Sequence, residues 1–521
     1  MDFDLILQGG TIIDGTGHQP AFSADIGIIG EKIVAITDLS EHVQSNRCSQ
    51  VIDATNQVIC PGFIDVHVHS EISLLGGRDQ YAGILQGVTT QLLAPDGFGW
   101  SGLKPKIARQ FWHYTQFAYG ELPVELQNLN WPHPEDYLDI FRGRIPTNVC
   151  PQVPHCAVRL AVMGWENRPA TIEELGRMER LTEIWMEVGA VGICLGLDYQ
   201  PSANADINEL VTLCRIVQSH GGLYAAHIRY ELLGRTKAWH ETIDISRQAN
   251  IPVHISHERV DSTTRSILKQ VDQENIDLTF ESYLYPAGMT HLAMRLPMDL
   301  QIGTPAEMIN RLRQDEAKDR AIRFLETNLE TDRSIIGYTK SGQYIGLPLS
   351  LAAEDAGQPV AEFAYNLVVE EEGIETLIMF WPIPLDEAES VLNETAVHPR
   401  MMVASDGIYE IPHPHPRGYG CFAQFIRKFV RERELLTLEQ AIWKMSGFPA
   451  KRFGLNDRGE IKEGSSADLV VFDPINIADQ STWTNPIQPA VGLNYVLVNG
   501  EIVLAKGAIT PNLPGRVLRR L

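Results

Sequence analysis

The stretch Pro61-Gly62-Phe63-Ile64-Asp65-Val66-His67-Val68-His69 reads as a short buried strand that ends in two histidines one residue apart. Side chains alternate across a strand, so Asp65, His67 and His69 are expected on one face and Ile64, Val66 and Val68 on the other. Two imidazoles at one strand end can converge on a single metal ion, although for a lone His-x-His packing is the default reading. Its surroundings strengthen the metal reading. Through the middle of the chain, apolar strands alternate with amphipathic helices, the pattern of a parallel sheet or barrel. Several of those strands also end on polar residues. Gly87-Val88-Thr89-Thr90-Gln91-Leu92-Leu93-Ala94 runs into Pro95-Asp96-Gly97, Gly222-Leu223-Tyr224-Ala225-Ala226-His227 ends on a histidine, and so does Val253-His254-Ile255-Ser256-His257. Met401-Met402-Val403-Ala404-Ser405-Asp406 ends on an aspartate.

Residues 1–60 have a different grammar, short strands separated by Gly and Asp turns, and the C-terminal end repeats it in Ala467-Asp468-Leu469-Val470-Val471-Phe472-Asp473 and Tyr495-Val496-Leu497-Val498-Asn499-Gly500. The expected architecture is therefore α/β: a (β/α)8 TIM-like barrel over 61–455, with a small β-sandwich domain built from 1–60 plus 456–521. Between about 291 and 395 helical stretches mix with Gly and Pro breaks, which predicts an insertion or lid above the sheet. A chain of 521 residues is long enough for one large and one small domain.

In a parallel barrel the carboxyl ends of the strands share one mouth, where polar residues usually serve catalysis. The candidates are His67, His69, Asp96, His227, His257 and Asp406. Nitrogen and oxygen donors of this kind suit zinc or a similar divalent ion. Taken singly, Asp96 is also an ordinary turn residue, and His227 or His257 an ordinary hydrogen-bonded core histidine. His254 has the opposite parity to His257 and is assigned to packing.

The order His-x-His, then single histidines on two later strands, then Ser-Asp on the last, resembles the metal-dependent amidohydrolase superfamily. Within it the chain is similar to the D-aminoacylases (N-acyl-D-amino-acid deacylases) over nearly its whole length. The resemblance is carried by Gly9-Gly10-Thr11-Ile12-Ile13-Asp14-Gly15-Thr16-Gly17, Gly87-Val88-Thr89-Thr90, Gly196-Leu197-Asp198-Tyr199-Gln200-Pro201 and His227-Ile228-Arg229-Tyr230-Glu231. It continues through Ile255-Ser256-His257-Glu258-Arg259, Tyr283-Leu284-Tyr285-Pro286-Ala287-Gly288, Ser405-Asp406-Gly407 and His415-Pro416-Arg417. The superfamily's carbamylated-lysine bridge cannot form here, because no lysine lies between Lys106 and Lys237. The D-aminoacylases lack it too and use a cysteine after the Gly-Val-Thr-Thr strand, where this chain has Asp96.

The resemblance implies zinc, one ion tightly bound by Asp96, His227 and His257 and a second at His67, His69 and Asp406. It implies Asp406 as the catalytic residue, taking a proton from water and passing it to the leaving amine. It also implies a clamp for the substrate carboxylate made by Tyr199, Arg259, Tyr283 and Arg417, with Met289 where the family often has serine. Arg229 and Glu231 are expected to pair with each other near His227. The leading activity is hydrolysis of N-acyl-D-amino acids. Cleavage of D-dipeptides or opening of cyclic amides is the alternative, and a non-catalytic scaffold a more remote one.

The expected partner is a small molecule with a free carboxylate. A formal charge of −23 argues against nucleic acid, and no apolar run approaches the roughly 20 residues of a membrane span. Seven scattered cysteines without a C-x-x-C pair, and no basic stretch at the N-terminus, fit a reduced, cytoplasmic protein.

Overall fold

The computed structural model describes residues 2–45, 47–76, 80–330, 333–370 and 375–520. Its middle is a succession of parallel ladders. Phe63–Asp65 pairs with Val88–Leu92, and that strand with Asn148–Cys150. Val153–Pro154 then pairs with Gly192–Gly196, followed in turn by Leu223–His227, Val253–Ile255, Leu278–Ser282 and Met401–Val403. Gly407–Ile408 pairs with Val68–His69, which brings a segment just after the last of these strands beside the first. Because every pair is parallel, all the carboxyl ends lie at one rim. These strands are buried throughout, as parallel strands covered on both faces must be. Ile64, Leu92, Cys150, Leu223, Ala225 and Met402 form one core cluster, which Phe453 and Leu455 join.

The first strand departs from simple alternation. It is divided into Phe63–Asp65 and Val68–His69, with Val66 and His67 between them. Asp65 consequently does not join the histidines. Its carboxylate accepts from the Ser405 amide at 3.0 Å and the Ser405 hydroxyl at 2.5 Å, bracing the segment that presents Asp406. The expectation that Asp65 projects with His67 and His69 is corrected by that bond. A carboxylate this buried takes the nearest strong donors.

The two chain ends meet in one nine-stranded sheet. Val58–Pro61 joins Phe3–Ile12 on one side and Leu469–Phe472 on the other, so residues from both ends share a ladder. Leu5, Leu7, Ile26, Ile28, Ile59 and Val471 belong to a core separate from that of the parallel strands. Between the last two parallel strands of the main ladder, Gly288–His291, Ser334–Tyr338 and Leu377–Phe380 form an antiparallel sheet. Helices Pro305–Leu312, Asp315–Asn328, Leu349–Asp355 and Val360–Glu370 belong to the same segment. Residues 331–332 and 371–374 of the expected insertion lie outside the described residues. All seven cysteines are free thiols. Among the described residues no helix is long and apolar enough to cross a membrane.

Candidate metal centre and active site

The carboxyl rim brings the predicted ligands together. His67, His69 and Asp96 present ligand atoms within 4.8 Å of one another, and so do Asp96, His227 and His257. Asp96 therefore belongs to both groups. Its Oδ1 is 3.7 Å from His67 Nε2 and 3.9 Å from His227 Nδ1, while its Oδ2 is 3.6 Å from His69 Nε2. Asp406 Oδ1 lies 3.6 Å from both His67 Nε2 and His69 Nε2.

These separations are too long for hydrogen bonds and suit atoms facing a common ion, whose bonds to N and O donors are about 2 Å. Two of the atoms, His67 Nε2 and Asp96 Oδ1, are buried and have no hydrogen-bond partner. Buried polar atoms are normally satisfied, so this pair of orphans fits a cation. His227 and His257 contact each other directly at 2.9 Å, Nδ1 to Nε2. Three of the six ligand candidates, Asp96 (φ 54°), His257 (φ 40°) and Asp406 (φ 47°), sit in left-handed backbone. Non-glycine residues are uncommon there, and such strain gathers at functional sites.

Burial works against charge on His67, but the carboxylates of Asp96, Glu281 and Asp406 outweigh it and hold the ring up at about 10. Burial likewise tends to raise the Asp406 carboxyl, yet Arg417, His69 and His67 hold it well below the usual carboxylate range. His257 is pushed well down by burial and by neighbouring His227.

Above the ligands opens a cavity of about 350 Å³ lined by His69, Asp96, His227, His257 and Asp406. Its wall also carries Tyr199, Arg259, Tyr283 and Arg417, the four expected clamp residues. The two guanidinium carbons lie 5.0 Å (Arg259) and 4.4 Å (Arg417) from the centre of the Tyr283 ring. Arg259 also donates to the Tyr285 carbonyl at 3.1 Å. Tyr199 packs its ring 5.0 Å from that of His227. Both arginines are buried and each keeps an unpartnered Nε.

The amidohydrolase family model matches residues 392–504. D-aminoacylase from Alcaligenes xylosoxydans xylosoxydans is 34% identical, over 99% of this chain and 98% of the relative. The chain belongs to the D-aminoacylase family. Among solved structures, a D-aminoacylase described for its binuclear metal centre superposes with a TM-score of 0.81 at 31% identity, covering 99% of this chain and 100% of that one. N-acyl-D-glutamate deacylase from Bordetella bronchiseptica, complexed with zinc and a phosphonate that mimics the tetrahedral intermediate, gives 0.82 at 28% identity with both chains fully covered.

Membership of the D-aminoacylase family leaves unexplained several residues that hold the centre in place. Glu281 is fully buried on Leu278–Ser282. Its Oε1 is 3.1 Å from His67 Nδ1 and accepts from the His257 amide at 2.8 Å, while its Oε2 is 2.5 Å from His254 Nε2. One carboxylate thus orients two ligand-bearing loops, as carboxylates behind metal-binding histidines commonly do. The only signal in the sequence was a buried-type strand whose end carries a carboxylate, Glu281. His254 does pack, with its ring 5.4 Å from Phe453, and also bonds Thr279 and Glu281. Asp198 performs the same service for His227, at 3.1 Å from its Nε2. The expected Arg229–Glu231 pair does not form: Arg229 pairs with Glu241 and Glu231 with Arg295, each at 3.0 Å. The two side chains leave Tyr230 in different directions, one toward helix Arg235–Ala249 and one toward the cavity wall.

Proposed function

We propose that this chain hydrolyses the amide bond of N-acyl-D-amino acids, releasing a free D-amino acid and a carboxylate, with zinc as its resident metal. The observation that carries this is the double membership of Asp96 in two ligand groups, at the foot of a cavity whose wall holds two arginines against one tyrosine. The relatives' names supply the substrate class, and the zinc complex of the D-glutamate deacylase supports the metal. The succession of parallel ladders, with Gly407–Ile408 beside Val68–His69, supports a (β/α)8 barrel over 61–455 with its insertion at about 291–395. The shared sheet supports one small β-domain built from 1–60 and 456–521.

Asp96, His227 and His257 would hold one ion and His67 and His69, with Asp96 and Asp406 beside them, a second. A divalent ion there supplies Lewis acidity, polarising the scissile carbonyl and making water more acidic. Arg259 and Arg417 hold the α-carboxylate through paired hydrogen bonds, for which the planar guanidinium is suited. The Tyr283 ring packs against both guanidinium groups, and Tyr199 closes the side next to His227. Asp406, ionised and aimed at the histidines, accepts the proton of the attacking water. It then delivers that proton to the amine nitrogen as the C–N bond breaks.

The direct test is Asp406→Asn in metal-replete protein. Folding and the ion held by Asp96, His227 and His257 should be retained while turnover of an N-acetyl-D-amino acid falls by about 100- to 10,000-fold. Unchanged hydrolysis would remove Asp406 from the mechanism.

A further inference from the structure

Asp96 belongs to both ligand groups, so the placement of one residue decides both metal positions. The turn that carries it has a costly backbone. Ala94 (φ 63°), Asp96 (φ 54°) and Gly97 (φ 72°) all lie in the left-handed region, with Pro95 among them. Residues with a β-carbon persist there only where their surroundings over-determine them. At its end the turn is wedged by packing. A β-carbon on Gly196 would stand 2.5 Å from the Asp96 carbonyl oxygen, so that strand end lies against the turn. The Cys156 thiol is 3.7 Å from the same oxygen and 3.0 Å from the Ser202 hydroxyl, which His155 Nδ1 meets at 2.6 Å. At its start the turn is held by Glu71, whose Oε1 accepts from the Ala94 amide at 2.7 Å. Glu71 is 1% exposed and no step of the mechanism uses it. It stands two residues after His69, and Ala94 two before Asp96. Their bond therefore joins the segment that supplies one ligand to the segment that supplies the other.

We propose that Glu71 is a positioning residue for the metal centre: by accepting from the Ala94 amide it ties the His69 segment to the Asp96 turn and fixes the Asp96 carboxylate where both ligand groups share it. This rests on the zinc centre proposed above. A buried backbone N–H needs an acceptor, and without one the left-handed start of the turn loses the contact that defines it. The turn then relaxes, and the Asp96 oxygens leave the positions from which they face His67, His69 and His227. The role differs from that of Glu281 and Asp198, which act on the rings of ligand histidines. Glu71 acts on main chain, and it needs an oxygen at that reach rather than a charge.

The experiment compares the unaltered full-length protein with Glu71→Gln, Glu71→Asp and Glu71→Met. It reads zinc affinity of the folded apo protein by competition with a chelator, and the visible spectrum of the cobalt(II)-loaded form. Glutamine keeps the oxygen at the same reach, aspartate is one methylene short, and methionine has similar bulk without the oxygen. Glu71→Gln should bind zinc within about 2-fold of the unaltered protein, and Glu71→Asp and Glu71→Met about 10- to 100-fold more weakly. The cobalt bands should shift in the latter two alone. If Glu71→Met does not fold, the contrast between aspartate and glutamine decides. Full zinc affinity and unchanged bands in Glu71→Asp, even with a lower unfolding midpoint, would overturn the inference and leave the zinc centre standing. Glu71→Gln as weak as Glu71→Asp would overturn the acceptor role. No zinc bound by the unaltered protein would overturn both the centre and this role in it.

Discussion

Arg417 Nη1 lies 2.8 Å from Asp406 Oδ2, while the same guanidinium sits over the Tyr283 ring. One cation therefore touches both the proposed base and the proposed clamp, whereas Arg259 touches only the clamp. Lysine keeps the charge but not the planar fork that lets Arg417 reach Asp406 and the clamp together. Arg417→Lys should lower kcat and raise KM together, with kcat/KM down about 10- to 150-fold, the worth of a charged hydrogen bond. Arg259→Lys should act mainly on KM. Steady-state kinetics separate the two, and a pure KM effect for Arg417→Lys would deny its link to Asp406.

Glu281 joins His67, His254 and the His257 amide. Glu281→Gln keeps the shape and removes the charge that orients His67. Zinc affinity, measured by competition with a chelator on folded apo protein, should weaken about 10- to 100-fold. Affinity equal to that of the unaltered protein would show that the carboxylate only fills space.

Asp96 offers hard oxygen donors where the family is expected to have a soft thiolate. Asp96→Cys should raise the preference for zinc over manganese by about 10-fold or more, since thiolates favour the softer ion. Competitive metal binding to the apo protein reads this ratio. A ratio that does not move, or moves toward manganese, would mean that residue 96 is not a ligand.

His291 is buried with neither ring nitrogen hydrogen-bonded, and its ring is 4.7 Å from that of Phe117. Burial, helped by Arg295, lowers its pKa from 6.5 to about 3. The folded protein thus refuses a proton that the unfolded chain accepts once the pH falls below 6.5. Stability present above that value is lost progressively toward pH 3, by about 2 kcal/mol at pH 5. In chemical unfolding at pH 7 and pH 5, His291→Phe should lose about 2 kcal/mol less than the unaltered protein between the two. Equal losses would contradict the buried neutral histidine.

The rim ligands were legible because two short-range rules cooperate. Parallel strands send their carboxyl ends one way, and polar residues closing apolar runs mark those ends: Asp96, His227, His257 and Asp406 all follow this pattern. The supporting residues were not legible, because their partners are set by packing between distant strands. Glu281 reads only as a polar residue near a strand end until the fold brings it against His67. Asp65 obeyed strand parity on paper, but the break at Val66 and His67 turned it to Ser405 instead. Arg229 and Glu231 are two residues apart in the motif yet pair elsewhere, since neither sequence nor spacing reveals Glu241 and Arg295 as nearer partners.

The central claim is that a metal held around Asp96 drives hydrolysis of N-acyl-D-amino acids. Its most direct test measures amine release from paired N-acetyl-D- and N-acetyl-L-leucine, with bound metal assayed on the same samples before chelation, after it and after return of zinc. The account predicts release from the D enantiomer alone, lost with the metal and regained with zinc. Release that survives complete removal of metal, or no D-specific release from fully loaded protein, would contradict it.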